Sequence, residues 1–469
     1  MARGRSLHYE KFADGSVKCI EDEIPFELPQ GWEWTRLGVI FSHNTGKALN
    51  SKSQVGNPYT YITTSNLYWN RFELTDLKQM LFTDAELEKC TVKKGDLLVC
   101  EGGDIGRSAI WENDDEIRIQ NHIHKMRPYI KLNIKFYYYV LYLYKHTERI
   151  NGKGIGIQGL SSNQLHSLLF PLPPINEQNI IANKINGYFE YIDFLEKEKS
   201  NLSSAIQATK SKILDFAIRG KLVPQDPNDE PASVLLERIR AEKEELIKQG
   251  KIKRDKRESV IFKGEDNSYY EKVGSEVRCI DEELPFEIPD NWEWARLQTV
   301  CMPITDGTHK TPTYSEEGYT FLSSKNVVNG VIDWENVMHI PENLHNELYS
   351  RLSPQKNDIL LAKNGTTGVA AIVDRDCVFD IYVTLALIRT VTHDISPHYL
   401  LRIIQSPVTQ DYFKGSLKGI GVPNLHLEQI RTALIPICPF SEQQRITAKI
   451  KALFLSLIHI SEPTRLGMI

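Results

Sequence analysis

The sequence predicts an α+β protein of two similar domains separated by long, coiled-coil-forming helices, a duplication with pseudo-twofold character. Three observations predict it. Cys19 to Leu37 (CIEDEIPFELPQGWEWTRL) returns as Cys279 to Leu297 (CIDEELPFEIPDNWEWARL), with 12 of 19 positions identical. Phe170 to Ile185 (FPLPPINEQNIIANKI) returns as Ile435 to Ile450 (IPICPFSEQQRITAKI), so each copy opens on Pro-Phe-Glu and Trp-Glu-Trp and closes on Glu-Gln. The stretches inside these frames differ. At 469 residues the chain is also too long for one core and divides into two domains of ordinary size plus connecting helix.

Residues 1–27 form an N-terminal segment that matches the end of the central linker, since Tyr9 to Ile20 (YEKFADGSVKCI) resembles Tyr270 to Ile280 (YEKVGSEVRCI). The first domain spans 28–174 and the second 284–438. β-rich runs bounded by turns predict strands at Tyr59–Thr64, Asp96–Cys100 and Ser108–Trp111 in the first, and at Thr320–Ser323, Asp358–Ala362 and Val369–Val373 in the second. Phe136–Lys145 and His398–Gln405 read as helices.

The central region, 175–283, opens on a helix from Asn176, read as an N-cap, to Arg219, stopped by Gly220 and about 60 Å long. Along it Ile181, Ile185, Tyr188, Ile192, Leu195, Leu202, Ile206, Ile213 and Phe216, with the polar Lys199 and Thr209 between them, recur at alternating spacings of four and three, a heptad seam that pairs with another helix. Glu196 to Asn201 are too polar for burial on all sides. A proline-punctuated loop leads to a second helix at 232–249, ended by Gly250, and a polar linker. Ser441-Glu-Gln-Gln444 reads as a capping box opening a second conserved helix at 439–454, with Ile446, Ile450 and Leu453 on its seam. The tail 455–469 looks different: Leu455 to Arg465 (LSLIHISEPTR) resembles the in-frame translation of a sequencing-library adapter, and Pro463 breaks a helix. It is expected to be non-native, with the native protein continuing past Phe454. The shortened partner helix would leave about six apolar seam positions beyond Tyr188 facing water.

Hydrophobic residues at 41% and charged residues at 25% fit a soluble globular protein, and neither a membrane span nor the apolar core of a signal peptide is visible, which predicts a cytoplasmic location. Seven cysteines without a Cys-x-x-Cys pair fit free thiols rather than disulfides, and no zinc site is expected. A net charge of −5 does not announce nucleic acid. Arg238 to Arg257 carries nine Lys/Arg against four Asp/Glu and reads as a solvated helix face followed by a flexible link.

No catalytic apparatus is visible. Thr45-Gly46-Lys47-Ala48 lacks the upstream glycine and the hydroxyl residue of a phosphate loop, and the glycines between 152 and 156 precede no βαβ unit. No Gly-x-Ser-x-Gly elbow occurs. Asn121-His122-Ile123-His124 is a weak metal motif, answered by Val383-Thr384 in the second copy. What recurs is polar loops at matched positions. Thr63, Thr64, Ser65 and Asn66 align with Ser323, Ser324, Lys325 and Asn326, and the loop Glu101 to Arg107 aligns with Lys363 to Val369. Hydroxyls, amides and cations on glycine-flexible loops suit phosphate contacts and base-edge hydrogen bonds, although the same residues are the ordinary material of turns. The DNA-binding candidates are these two quartets, together with Lys47, Lys52, Arg107 and Lys153 in the first domain. The second adds Thr305, Thr308, His309, Lys310, Lys363, Asn364, Thr366 and Thr367.

Leu28-Pro-x-Gly-Trp-x-Trp34, Leu172-Pro-Pro-x-x-Glu-Gln178 and Leu214-Asp-Phe-Ala-Ile-Arg-Gly-Lys-Leu-Val-Pro224 resemble the conserved regions of bacterial type I restriction-modification specificity subunits, and the resemblance covers nearly the whole chain. It implies two target-recognition domains, each reading one half of a bipartite DNA site, and helices that set the spacing and dock methyltransferase subunits. It also implies a motor-nuclease restriction subunit, with S-adenosylmethionine, ATP and magnesium serving these partners, and no cofactor or catalysis in the chain itself. Two other functions compete: a non-DNA scaffold built on the coiled coil, and a fused methyltransferase or nuclease, whose motifs are missing.

Overall fold

The computed structural model describes residues 7–49, 55–150, 159–255, 257–417 and 424–461, with Ser461 described by its backbone alone. It divides into two compact units, Met1–Lys197 and Glu198–Ile469, and the division falls inside the long helix Ile175–Ile218.

In the first unit the two repeated words become partners. The Trp-Glu-Trp segment forms the strand Glu33–Arg36, which pairs antiparallel with Leu169–Leu172, Trp34 lying opposite Pro171. The differing insert fills the space between them. One antiparallel sheet runs in the order Ser108–Ile110, Leu97–Cys100, Ile123–Pro128, Phe41–Thr45. A second sheet, Lys78–Phe82, Asn57–Ile62, Ile117–Ile119, Thr91–Val92, contains one parallel pair, Asn57–Ile62 with Ile117–Ile119. The strand Leu97–Cys100 is apolar throughout because both its faces are covered. Leu97 and Val99 join the core beneath the helix Ile134–His146, with Phe41, Tyr137, Leu141 and Phe170, while Leu98 and Cys100 face Ile62, Trp111 and Ile119.

The second unit repeats this plan. Glu293–Arg296 pairs with Leu434–Ile437, Trp294 opposite Pro436. Its antiparallel sheet runs Ala370–Ile372, Ile359–Ala362, Leu385–Ile388, Thr305–Asp306. The sheet Met338–Ile340, Tyr319–Leu322, Phe379–Ile381 again holds one parallel pair. Duplication therefore extends through the inserts, whose sequences hide it.

The N-terminal segment forms a hairpin, Tyr9–Lys11 with Val17–Cys19, and its counterpart in the second unit is a three-stranded sheet, Ser259–Lys263, Tyr269–Val273 and Glu276–Cys279. Equivalent side chains differ in burial, because Trp294 packs on this layer through Ile261 and Trp292 joins the core of the central helices. Trp292 and Trp294 are buried, whereas Trp32 and Trp34 are half-buried and Phe26 is exposed.

Helix ends correct two expected caps. The long helix begins at Ile175 and its first bonds go to the Pro174 carbonyl, so Asn176 lies inside the first turn. The last helix, Phe440–Ser461, begins one residue before Ser441, and Gln443 donates to the Pro439 carbonyl instead of closing a capping box. In both cases proline sets the entry and needs no side-chain cap. The predicted stop at Gly220 is a left-handed C-cap with φ +67°, Lys221 donating to the Phe216 carbonyl and Gly220 to Ala217. Gly250 ends the helix Ala232–Lys248 in the same way. The last helix continues beyond Phe454, and residues 462–469, with Pro463, lie outside the described residues.

Along the long helix Ile181, Ile185, Ile206 and Ile213 are half-buried, while Tyr188, Ile192, Leu195 and Leu202 are exposed. Phe216 departs from the predicted seam. At that end Leu214, Ala217 and Ile218 are buried, and Phe216 lies outward beneath the Lys212 ammonium at 4.7 Å. The globular core on which this turn rests, with Leu235, Leu236 and Ile239 of the helix Ala232–Lys248, selects a different face from the heptad. Among the described residues no helix is long and apolar enough to cross a membrane.

Candidate nucleic-acid interface

Each insert is fixed to its frame by the same set of contacts. Trp32 donates its indole N–H to Glu177 at 2.8 Å, and Trp292 to Glu442 at 2.9 Å. The neighbouring glutamines cap the insert helices: Gln178 accepts from the Asn133 amide and donates to the Pro173 carbonyl, while Gln443 accepts from Ser396 and donates to Cys438. Those six contacts account for the repeated Glu-Gln. Inside the inserts, Asp96 accepts a bidentate pair from Arg127 at 2.7 and 2.6 Å and the Lys93 amide, and Asp358 takes the same bonds from Arg389 and Gln355. A buried carboxylate held this way fixes the strand turn beside it.

On the frame itself Arg36 binds Glu10 and Glu23, and Arg296 binds Glu271 and Glu283. Burial works against ionisation of Glu271, but the guanidinium groups of Arg296 and Arg278 outweigh it and bring the carboxyl down to about 2.

The matched loops are held from within. Asn66 accepts from the Thr63 amide and donates to the Glu73 carbonyl, and Asn326 accepts from Ser323 and donates to Asn336. Both asparagines thus have structural work, and Asn326 is buried. Ser324 is buried as well, its amide donating to Thr384. Two predicted cations also turn inward. Lys47 binds Glu86 and the Leu81 carbonyl against the Phe82 ring, and Lys363 forms a buried pair with Asp306. A lysine already paired with a carboxylate is held as a strut, as Lys47 and Lys363 are, while Asn66, Asn326 and Ser324 are engaged within their own loops, so the structure places these five in internal contacts.

The remaining candidates are more open. Ser65, Lys325, His309, Lys310 and Thr366 are exposed, and Thr63, Thr64, Ser323, Thr305, Thr308, Asn364 and Thr367 are half-buried. His309 meets Asp306 at 3.2 Å, and the Thr366 hydroxyl donates to the Ser324 carbonyl. Arg107 donates to the Thr64 carbonyl at 2.6 Å, tying its loop to the quartet 63–66. Lys52 and Lys153 lie outside the described residues.

Two short hairpins that sequence reading missed stand beside these loops: Leu67–Tyr68 with Arg71–Phe72, and Val327–Val328 with Val331–Ile332. Their signals were present. Asn70, Asn329 and Gly330 all take left-handed backbone, as tight hairpin turns require.

His124 joins a buried cluster instead of a metal site. It bonds His43 at 2.7 Å and the Leu160 carbonyl at 2.7 Å, with His166 packed on His43. Burial, then the neighbouring His124 and His166, pushes His43 down to about 4. Among the described residues no group of three or more His, Cys, Asp or Glu is placed to hold a metal ion. The basic run is neutralised in part: Arg238 pairs with Glu230, Lys243 with Glu258, Arg254 with Glu244 and Arg257 with Glu428.

A family model for the type I restriction modification DNA specificity domain matches residues 29–204 and 289–466, more than half of the chain. The chain is 27% identical to the EcoAI specificity subunit of Escherichia coli over 92% of its own length and 79% of the relative's. It is also 27% identical to the EcoEI specificity subunit of the same organism, over 93% and 80%. Among solved structures, one concerned with complex assembly and conformational transition of the type I R-M system matches with a TM-score of 0.62 at 15% identity, over 94% of both chains, a likeness of fold.

Proposed function

The chain belongs to the type I restriction-modification DNA specificity family, and on that premise we propose that it is the sequence-reading subunit of such a system, each unit recognising one half of a bipartite DNA site. One observation carries this reading. Two units share strand order, buried carboxylate–arginine pairs and Glu-Gln contacts, yet present different side chains on matched exposed loops. A fixed scaffold with variable loops is what reading two different half-sites demands, because positioning contacts are generic and base contacts are not.

The chain supplies no catalytic group in this reading. Methyltransferase subunits dock on its helices and methylate adenine with S-adenosylmethionine, and a motor-nuclease subunit using ATP and magnesium completes the complex. The exposed Tyr188, Ile192, Leu195 and Leu202 offer these helices an apolar contact face. Co-expression with the methyltransferase followed by sequencing of methylated bases tests the proposal. A bipartite adenine motif is expected, and binding to duplex DNA without sequence preference would overturn it in favour of a scaffold.

A further inference from the structure

The asparagines of the matched loops are occupied in holding those loops, so the side chains that separate one half-site from the other must lie beside them. The two short hairpins are placed to do this. They have one register, Tyr68 opposite Arg71 and Val328 opposite Val331, with Leu67 and Val327 buried as their anchors. Their outward residues differ in chemistry.

In the first unit the Tyr68 ring, 37% exposed, carries two guanidinium groups, Arg71 at 4.8 Å and Arg107 at 5.2 Å. The hairpin is tied to the strand of Arg107 by the Asn70 amide, which donates to the Ser108 carbonyl at 3.2 Å. Neither arginine is committed to a carboxylate. Arg71 makes no hydrogen bond or ion pair with the described residues, and the nearest acid to Arg107, Asp104, is 3.9 Å away and lies closer to Lys145. An aromatic face orients a guanidinium while leaving its N–H fork free, as at Arg71, whereas Arg107 already donates to the Thr64 carbonyl. In the second unit the position of Arg107 is Val369, and the hairpin exposes Val328 at 40% and Val331 at 63%. Among the described residues neither valine joins a hydrophobic cluster of the unit.

We propose that these hairpins are base-reading elements, with Arg71, braced on Tyr68 beside Arg107, reading guanine in one half-site and Val328 and Val331 meeting a thymine methyl in the other. An arginine fork matches the O6 and N7 acceptors of guanine, and aliphatic methyls match the C5-methyl of thymine, both in the major groove. This rests on the specificity reading above and adds which residues separate the two half-sites.

The test uses the full chain assembled with its methyltransferase subunits and a library of duplexes carrying every single-base change in both half-sites. Arg71→Ala and Arg71→Lys are each expected to lower discrimination at one guanine of one half-site by about ten- to a hundred-fold, leaving the other half-site unchanged. The lysine variant keeps the charge and loses only the fork, so a misfolded unit would not reproduce its pattern. Val331→Ser is expected to weaken thymine preference at one position of the other half-site. Uniform weakening across all sequences would make Arg71 a phosphate ligand and overturn the proposal, as would unchanged base preference in the variants. A wild-type complex with no base preference would instead bring down the specificity reading itself, and this proposal with it.

Discussion

Replacing Trp292 by alanine should unfold the second unit far more readily than Trp32→Ala unfolds the first, although the two residues are equivalent in sequence and make the same bond. Trp292 is 2% exposed and packs with Leu297, Ile435 and Ile446, so removing its ring costs about 3–5 kcal/mol. Glu442 is fully buried and would keep only Gln225 as a donor, adding about 1–3 kcal/mol. Trp32 is half-buried and its partner Glu177 is exposed, so water replaces the lost bond and the cost falls to about 1–2 kcal/mol. The gap of at least about 2 kcal/mol corresponds to more than a tenfold difference in opening equilibrium. Native-state hydrogen exchange read by peptide separates the units where one global melting curve cannot. Peptides containing Leu297 to Val300 and Ile435 to Ile437 should exchange about a hundred-fold faster or more in Trp292→Ala, against about tenfold around Leu37 to Ile40 in Trp32→Ala. Equal acceleration in the two variants would refute the view that the fuller burial of Trp292, in the core shared with the central helices, makes the difference.

Acid should loosen the second unit through Glu271. Its folded pKa of about 2 lies below the unfolded value near 4.5, so its contribution is complete above the unfolded value and disappears as pH falls from about 5 toward 2; Arg296→Met should flatten that slope in a pH titration of stability, Arg278 alone remaining on the carboxylate. Gly307→Ala and Gly46→Ala should each destabilise their unit by about 2–3 kcal/mol, since a Cβ would collide with the backbone carbonyl of Ile381 or Ile119, and a denaturant midpoint unchanged in either variant would contradict this. Deleting seven residues between Ile181 and Phe216 should change the spacer tolerated between half-sites, and methylation at the original spacer would count against the helix as a ruler.

The duplicated frame was legible because its Trp, Pro and Glu-Gln words are strand and cap residues with little freedom. Buried strands such as Leu97–Cys100 and Ile359–Ala362 were legible too, as short apolar runs between turns. The site was less so. Nothing local to Lys363 reveals that Asp306 lies beneath it, or that Glu86 neutralises Lys47, because those carboxylates come from distant strands and helices. Asn66 and Asn326 looked like ligands because an amide that holds a loop and one that reads a base have the same composition. Phe216 failed for a different reason, since a heptad describes a helix against another helix and this turn rests on a globular core.

The paired frame strands also set a problem for the chain as it folds. Glu33–Arg36 and Glu293–Arg296 differ at one residue, and each must find its own partner, Leu169–Leu172 or Leu434–Ile437, at a sequence separation of well over a hundred residues. Either strand could accept the other's partner with the same register and the same tryptophan opposite the same proline. On the ribosome the ambiguity does not arise, because the first pair can close before the second is made. Refolding from denaturant removes that order, so crossed pairings should appear as a slow, aggregation-prone population whose share falls when the chain is released vectorially.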